Sequence, residues 1–202
     1  MRKFTEEALL IATHNIGKLA EISALLSPFD VIIVSAASIG LIEPVETEDS
    51  FVGNARLKAH AACRSSGLPA LADDSGITID ALDGAPGVYT ADWAQTPNGR
   101  DFDLAMGRAW DLLEAKQAPF PRTAQFRCTL VLAWPDGHDE VFDGMLSGQV
   151  VWPKRGHSGH GYDPVFQPDG HEQTFAEMGL SAKGLISHRA VAFRKLLNNC
   201  FT

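Results

Sequence analysis

Leu9-Leu10-Ile11-Ala12, then Thr13-His14-Asn15, then Leu19, Ile22, Leu25 and Leu26 decide the fold class of this chain. Four consecutive apolar residues have the length of a buried strand, and the later steps of three and four are the helical repeat. The polar residues between them end the strand and open the helix. Strand, short loop and helix in direct succession make the first half of an α/β unit. Val31 to Val34 reads as a second strand. Phe51 to Arg64, rich in alanine and capped by Asp49 or Ser50, reads as a second helix.

Working outward, Ala70 to Ala72 is predicted as a short strand that ends in the acidic turn Asp73-Asp74-Ser75-Gly76, and Gly84-Ala85-Pro86-Gly87 as a loop. Phe102, Ala105, Met106, Ala109, Leu112 and Leu113 mark an amphipathic helix that stops before Pro119, its stripe suited to core or to a subunit partner. Phe126 to Ala133 and Val141 to Met145 read as strands joined at Pro135-Asp136-Gly137, and Gln149 to Trp152 as another. Ser187 caps a final helix bearing Val191 and Leu196. The expected fold is therefore α/β: a mixed central sheet flanked by helices, forming a single domain over residues 1–202. The Gly/Pro-rich stretches suit two lobes with a substrate cleft between them.

The chain has 202 residues, 45% of them hydrophobic and 21% charged, which is enough to bury a substantial core and leaves little room for long disorder. Its net charge of −8 opposes a surface built to bind nucleic acid along many phosphates. A single small anion is still compatible, because a few lysines and a divalent cation suffice locally. Cys63, Cys128 and Cys200 are odd in number and lack the Cys-x-x-Cys spacing, so a reducing, cytoplasmic setting is expected. The apolar run at the start is too short to span a membrane.

Several segments carry groups suited to chemistry. Thr13-His14-Asn15-Ile16-Gly17-Lys18 lies where a strand gives way to a helix, a place where free N–H groups favour an anion; an ordinary capped helix with an exposed lysine is the plain alternative. Asn54 and Lys58 are one turn apart and share a helix face, either toward phosphate or as a solvated stripe. Asp73 and Asp74 are adjacent, so in a regular strand they would point to opposite faces, and one could bind a cation or polarise water. Among Glu43, Glu46, Glu48 and Asp49, one carboxylate could complete a magnesium site with Asp74. Gly156-His157-Ser158-Gly159-His160-Gly161-Tyr162-Asp163 offers close backbone approach, rings that can stack on a base and a carboxylate acceptor; His157 and His160 as metal ligands would need a third ligand that no telling spacing supplies. Lys183, His188 and Arg189 place three donors about one helix start.

In this order the segments resemble the inosine triphosphate pyrophosphatase family, the non-standard purine nucleoside triphosphate pyrophosphatases. The resemblance rests on Thr13-x-Asn15-x-x-Lys18, Phe51-x-x-Asn54-Ala55-x-x-Lys58-Ala59, Ala72-Asp73-Asp74-Ser75-Gly76, Gly84-Ala85-Pro86-Gly87-Val88-Tyr89, Gly161-Tyr162-Asp163-Pro164 and Ser187-His188-Arg189. It implies a homodimer that uses magnesium and hydrolyses ITP, dITP and XTP to monophosphate and pyrophosphate. It assigns the general base to Asp74, with Lys18 assisting catalysis, and the metal to Glu46 and Asp74. Nucleotide contacts fall on Thr13, His14, Asn15, Ile16, Gly17, Lys18, Lys58 and Ser75, and base contacts on His160, Gly161, Tyr162, Asp163, Lys183, His188 and Arg189. Two positions depart from the family pattern. Val45-Glu46 replaces the paired glutamates common in bacterial members, and His160 stands where phenylalanine is common. The rival readings are a pyrophosphatase for modified pyrimidine nucleotides and a binding protein that keeps the pocket.

Overall fold

The computed structural model describes residues 1–202, the side chains of Glu21 and Leu180 excepted. In chain order it comprises β1 (Ala8–Ile11), α1 (Ile16–Leu26), β2 (Ile32–Ser35), α2 (Phe51–Ser66), β3 (Ala70–Ile79), the short pair β4 (Gln95–Thr96) and β5 (Gly99–Arg100), and α3 (Phe102–Ala115). Then follow β6 (Thr123–Ala133), β7 (Asp139–Val150), β8 (Phe166–Pro168), α4 (Leu180–Ile186) and α5 (His188–Leu196). The main sheet runs β2-β1-β3-β6-β7-β8. β1 is parallel to β2 and to β3, whereas β7 and β8 are antiparallel, so the mixed sheet and α/β class expected from the sequence are borne out.

The chain divides into two compact units: residues 1–74, 129–143 and 192–202, and residues 75–128 and 144–191. In the first, one cluster of the core is built largely of small side chains. Ala55, Ala59, Ala62 and Cys63 of α2 pack with Leu10, Ala70, Ala72, Val131 and Ala133. Alanines on the helix face that meets the sheet let the backbones approach closely, and this buries Asn54 and Lys58, which neighbour that stripe, to 2% and 6% exposure. The solvated-stripe alternative for these two residues is thereby excluded. Ser50 caps the helix by accepting from Gly53 N–H, and Gly67 closes it in the left-handed conformation.

The second unit has a core with Ile77 and Ile79 of β3, Ala105, Met106, Ala109 and Leu113 of α3, and Phe126, Phe166 and Phe175 among its members. Of the α3 stripe, Ala105, Met106, Ala109 and Leu113 face this core and Phe102 packs against it, whereas Leu112, expected in the stripe, stays exposed, as does Leu104. Asp101 caps α3 by accepting from Asp103 and Leu104 N–H.

Two expectations need correction. β3 does not end in an acidic turn: it continues through Asp73, Asp74, Ser75 and Gly76 to Ile79, because the alternating Ile77-Thr78-Ile79 buries both isoleucines completely. Likewise, Val141 to Met145 and Gln149 to Trp152 are not separate strands; β7 is continuous to Val150. Gly148 does not interrupt the strand; its role is proximity. A Cβ there would lie 2.4 Å from Gln167 O and 2.7 Å from the Phe166 ring, so only glycine lets β8 pair at this point. The final helical region also begins earlier, with α4 before Ser187; Ser187 Oγ accepts from Ala190 N–H at 3.1 Å and so does cap α5.

Candidate active site

In the first unit, β1 delivers the chain to Thr13 and α1 starts at Ile16, with Asn15 between them as the cap: its Oδ1 accepts from Lys18 N–H at 3.0 Å. Thr13 Oγ1 accepts from Asn15 N–H at 3.2 Å, so the turn is fixed by its own side chains. Lys18 Nζ reaches Asp73 Oδ2 at 2.7 Å, with Asp73 buried. Ile16 is 83% exposed, and Gly17 allows the tight approach of Asn15 Oδ1, 3.2 Å from where a Cβ would sit. His14 turns its ring to the following loop, with Nε2 2.8 Å from Leu41 O and Nδ1 3.6 Å from Glu43 Oε2.

Adjacent strand residues alternate in direction, and β3 uses this to give its two aspartates different partners. Asp73 meets Lys18, whereas Asp74 accepts from Asn54 Nδ2 at 3.3 Å and lies 3.8 Å from Lys58 Nζ. Lys58 Nζ also donates to Glu46. Asn54 serves two masters, since its Oδ1 accepts from Glu48 N–H at 3.0 Å in the loop that carries Glu46. Glu46, Lys58, Asn54 and Asp74 thus form one cluster built from a loop, a helix and a strand.

Burial disfavours the ionised form of Asp74 and raises its pKa to about 6; Lys58 and Asn54 oppose the shift, while Glu46 and Asp73 add to it. Burial would by itself lower the pKa of Lys58, but Asp74, Asp73 and Glu46 overcome this and raise it. A buried carboxyl near neutrality beside a firmly charged ammonium is the pairing expected of a group that must take up and release a proton.

The second unit holds the other candidates. Asp163 is 3% exposed and organises its loop: Oδ2 accepts from His160 N–H at 2.8 Å and from Lys183 Nζ. A Cβ on Gly159 would come within 2.1 Å of that oxygen, which, with a φ of +81°, explains the glycine. His160 is exposed and, with Phe102, Met106, Lys154, His157 and Pro164, helps to line a cavity of about 430 Å³. The Tyr162 ring sits in the core, edge-on to Phe102 at 6.3 Å, and burial raises its pKa; a contact with a base would have to come from its backbone. His188 is buried and stacked on Phe126 at 5.0 Å between centroids, and Arg189 is 9% exposed. Lys183, His188 and Arg189 do not line the cavity beside His160. Ser75, next to Asp74, is half-buried.

Sequence reasoning offered Asn54 for phosphate and not for Asp74, left Asp73 without a defined task, and did not find Phe126 as the platform for His188. The one-turn spacing of Asn54 and Lys58 was the available signal for Asn54; the stacking partner is distant in sequence and had none. Among the described residues, no group of three or more His, Cys, Asp or Glu side chains could hold a metal, so a cation here would rely on two carboxylates and on non-protein ligands, as magnesium commonly does.

Comparison with known proteins connects this geometry to a family. A dITP/XTP pyrophosphatase of Ruegeria pomeroyi is 68% identical over 200 residues, covering 99% of this chain and 98% of the relative. One of Agrobacterium fabrum is 51% identical over 211 residues, covering 99% of each. Among solved structures, a HAM1 protein from Coxiella burnetii superposes with a TM-score of 0.90 at 33% identity, over 96% of this chain and 98% of that one. A nucleoside-triphosphatase/dITP/XTP pyrophosphatase from Mycobacterium abscessus gives 0.80 at 35% identity, over 94% and 98%. The model of the Ham1 family matches residues 9–199, and this chain belongs to that family.

Proposed function

We propose that this chain is a nucleoside triphosphate pyrophosphatase that hydrolyses the α–β phosphoanhydride bond of ITP, dITP and XTP. The monophosphate and pyrophosphate are the products, and non-standard purines are thereby kept out of DNA and RNA. Relatives named dITP/XTP pyrophosphatase support the reaction, and the cluster of Asp74, Asn54, Lys58 and Glu46 is the observation that carries it.

Asp74 is the general base in this reading. It takes a proton from water as the water oxygen bonds to the α-phosphorus, and the bond from that phosphorus to the bridging oxygen breaks toward pyrophosphate. Asn54 holds Asp74 in orientation. Lys58 and Lys18, drawn to phosphate from their carboxylate partners, offset the charge that develops on the leaving group. Thr13, Asn15, Ile16, Gly17 and Ser75 complete the nucleotide contacts expected on this side.

Glu46 and Asp74 share one cation in the structure, the Lys58 ammonium, and that convergence on a single positive charge suits a divalent ion held by the two carboxylates. Magnesium, when bound there, would supply charge to phosphate oxygens. Base selection is assigned to His160, Gly161, the Tyr162 backbone, Asp163, Lys183, His188 and Arg189. Hypoxanthine and xanthine present an acceptor at C6 where adenine presents a donor, so buried donors such as His188 and Arg189 would be left opposed by ATP. A homodimer in the cytoplasm belongs to the same reading; three free, buried cysteines suit a reducing compartment, and among the described residues no helix is long and apolar enough to cross a membrane.

Rates with ITP, dITP and XTP measured against ATP, dUTP and dCTP test the substrate class. Preference for the 6-keto purines by roughly a hundredfold in kcat/KM is expected. Equal or better turnover of the pyrimidine nucleotides would overturn it in favour of a pyrimidine-directed enzyme.

A further inference from the structure

Glu46 lies on an irregular segment between Leu41 and the start of α2, and this segment has little apolar anchorage of its own. Ile42 is 88% and Val45 81% exposed. Its placement therefore depends on polar ties: the bond from Lys58 to Glu46 itself, and others at its two ends. At the far end, Glu48 N–H donates to Asn54, and Gly53 leaves room for the Glu48 side chain, whose Cβ is 2.6 Å from where a Gly53 Cβ would be. At the near end, Leu41 packs against the core and its N–H bonds Ala36 O at 3.0 Å. His14 adds a side-chain tie where the exposed stretch begins.

Both ring nitrogens of His14 face this segment. Nε2 faces the Leu41 carbonyl at 2.8 Å, and a carbonyl only accepts, so Nε2 carries a proton and donates it. Nδ1 faces Glu43 at 3.6 Å. That second contact is longer than a hydrogen bond and joins two side chains that are 39% and 51% exposed, so the Leu41 hydrogen bond is the tie. The nitrogen that donates is thus engaged with this loop and not aimed at a phosphate oxygen. Yet His14 stands between Thr13 and Asn15, the two residues that fix the turn into α1.

We infer that His14 is a positioning residue: it fastens the loop bearing Glu46 to the Thr13–Lys18 turn, and so couples placement of the metal carboxylate to the element assigned to phosphate. The inference rests on Glu46 being a metal carboxylate, as proposed above. It separates His14 from the direct nucleotide contacts with which the sequence grouped it.

The test is Mn2+ affinity of the nucleotide-free protein, read by electron paramagnetic resonance, with ITP binding in EDTA as the second readout. His14→Ala is expected to weaken Mn2+ about 3- to 10-fold, the loss of one hydrogen bond, and to leave metal-free ITP binding within about 2-fold. His14→Gln, whose amide can donate to Leu41 O, is expected to recover most of the Mn2+ affinity, and Glu43→Gln to shift it less than about 2-fold. Unchanged Mn2+ affinity in His14→Ala, or a loss of metal-free ITP binding instead, overturns the inference. Glu46→Gln separates this failure from that of the underlying reading. If it weakens Mn2+ while His14→Ala does not, only the role of His14 falls; if it too leaves Mn2+ affinity unchanged, the metal assignment falls and the inference with it.

Discussion

Asp74 is an acid placed where an acid is costly. Buried at 6% exposure, with its pKa raised to about 6, it holds a proton in the folded chain over a range where the unfolded chain has released it. Between roughly pH 4 and pH 6 the folded state binds more protons, so this group's contribution to stability falls as pH rises and then stays at a constant penalty above pH 6. In EDTA at pH 7, Asp74→Asn is expected to raise the free energy of unfolding by about 2 kcal/mol, a gain that disappears below about pH 4. Urea titrations at both pH values check it, and a variant less stable than the parent at pH 7 would contradict it. The neighbouring letters Asp73-Asp74 were legible as two inequivalent carboxylates from strand alternation alone. Their partners were not, because Lys18 and Asn54 are brought to them by separate elements. The thiols make a second expectation at this scale. Burial raises Cys63 and Cys200 to about 11, and Cys128 is buried as well, so none should react with a thiol reagent at pH 8 before unfolding. Rapid native labelling of any of them would contradict the burial described.

At the scale of elements, α2 does the assembling. Its alanine face sits close against the sheet, which was readable as alanine content but not as proximity, and this closeness turns an i,i+4 pair into buried neighbours of β3. Asn54 then joins strand, helix and loop through two hydrogen bonds. Asn54→Ala removes the hydrogen bonds that Asn54 makes to Glu48 N–H and to Asp74 and is expected to cost about 2–3 kcal/mol, with kcat/KM down about tenfold or more. Thermal unfolding and steady-state rates read the two effects; full activity with only a loss of stability would make Asn54 structural and nothing else. The same scale shows why two elements were misread. Glycine and serine within β3 and β7 look like strand ends in one dimension, whereas Gly148 is there for β8, a strand that sequence alone does not place opposite it.

For the whole molecule, the α/β class, the mixed sheet and the family were legible because each rests on runs or ordered motifs along the chain. What was not legible depends on meetings between distant segments: the loop set by Asp163 and Lys183, the stack of His188 on Phe126, and the turning of His14 toward Glu43. The residues assigned to triphosphate and metal fall in the first unit, Ser75 excepted, and those assigned to the base in the second. The central claim is that Asp74 activates water at the α-phosphorus of a non-standard purine nucleotide. Its most direct test is the product balance of ITP hydrolysis with magnesium, by the parent and by Asp74→Asn. One pyrophosphate per IMP with no orthophosphate is expected from the parent, with kcat lower by about 10²- to 10⁴-fold in a folded Asp74→Asn. Orthophosphate as the primary product, or near-parental turnover in that variant, would contradict the account.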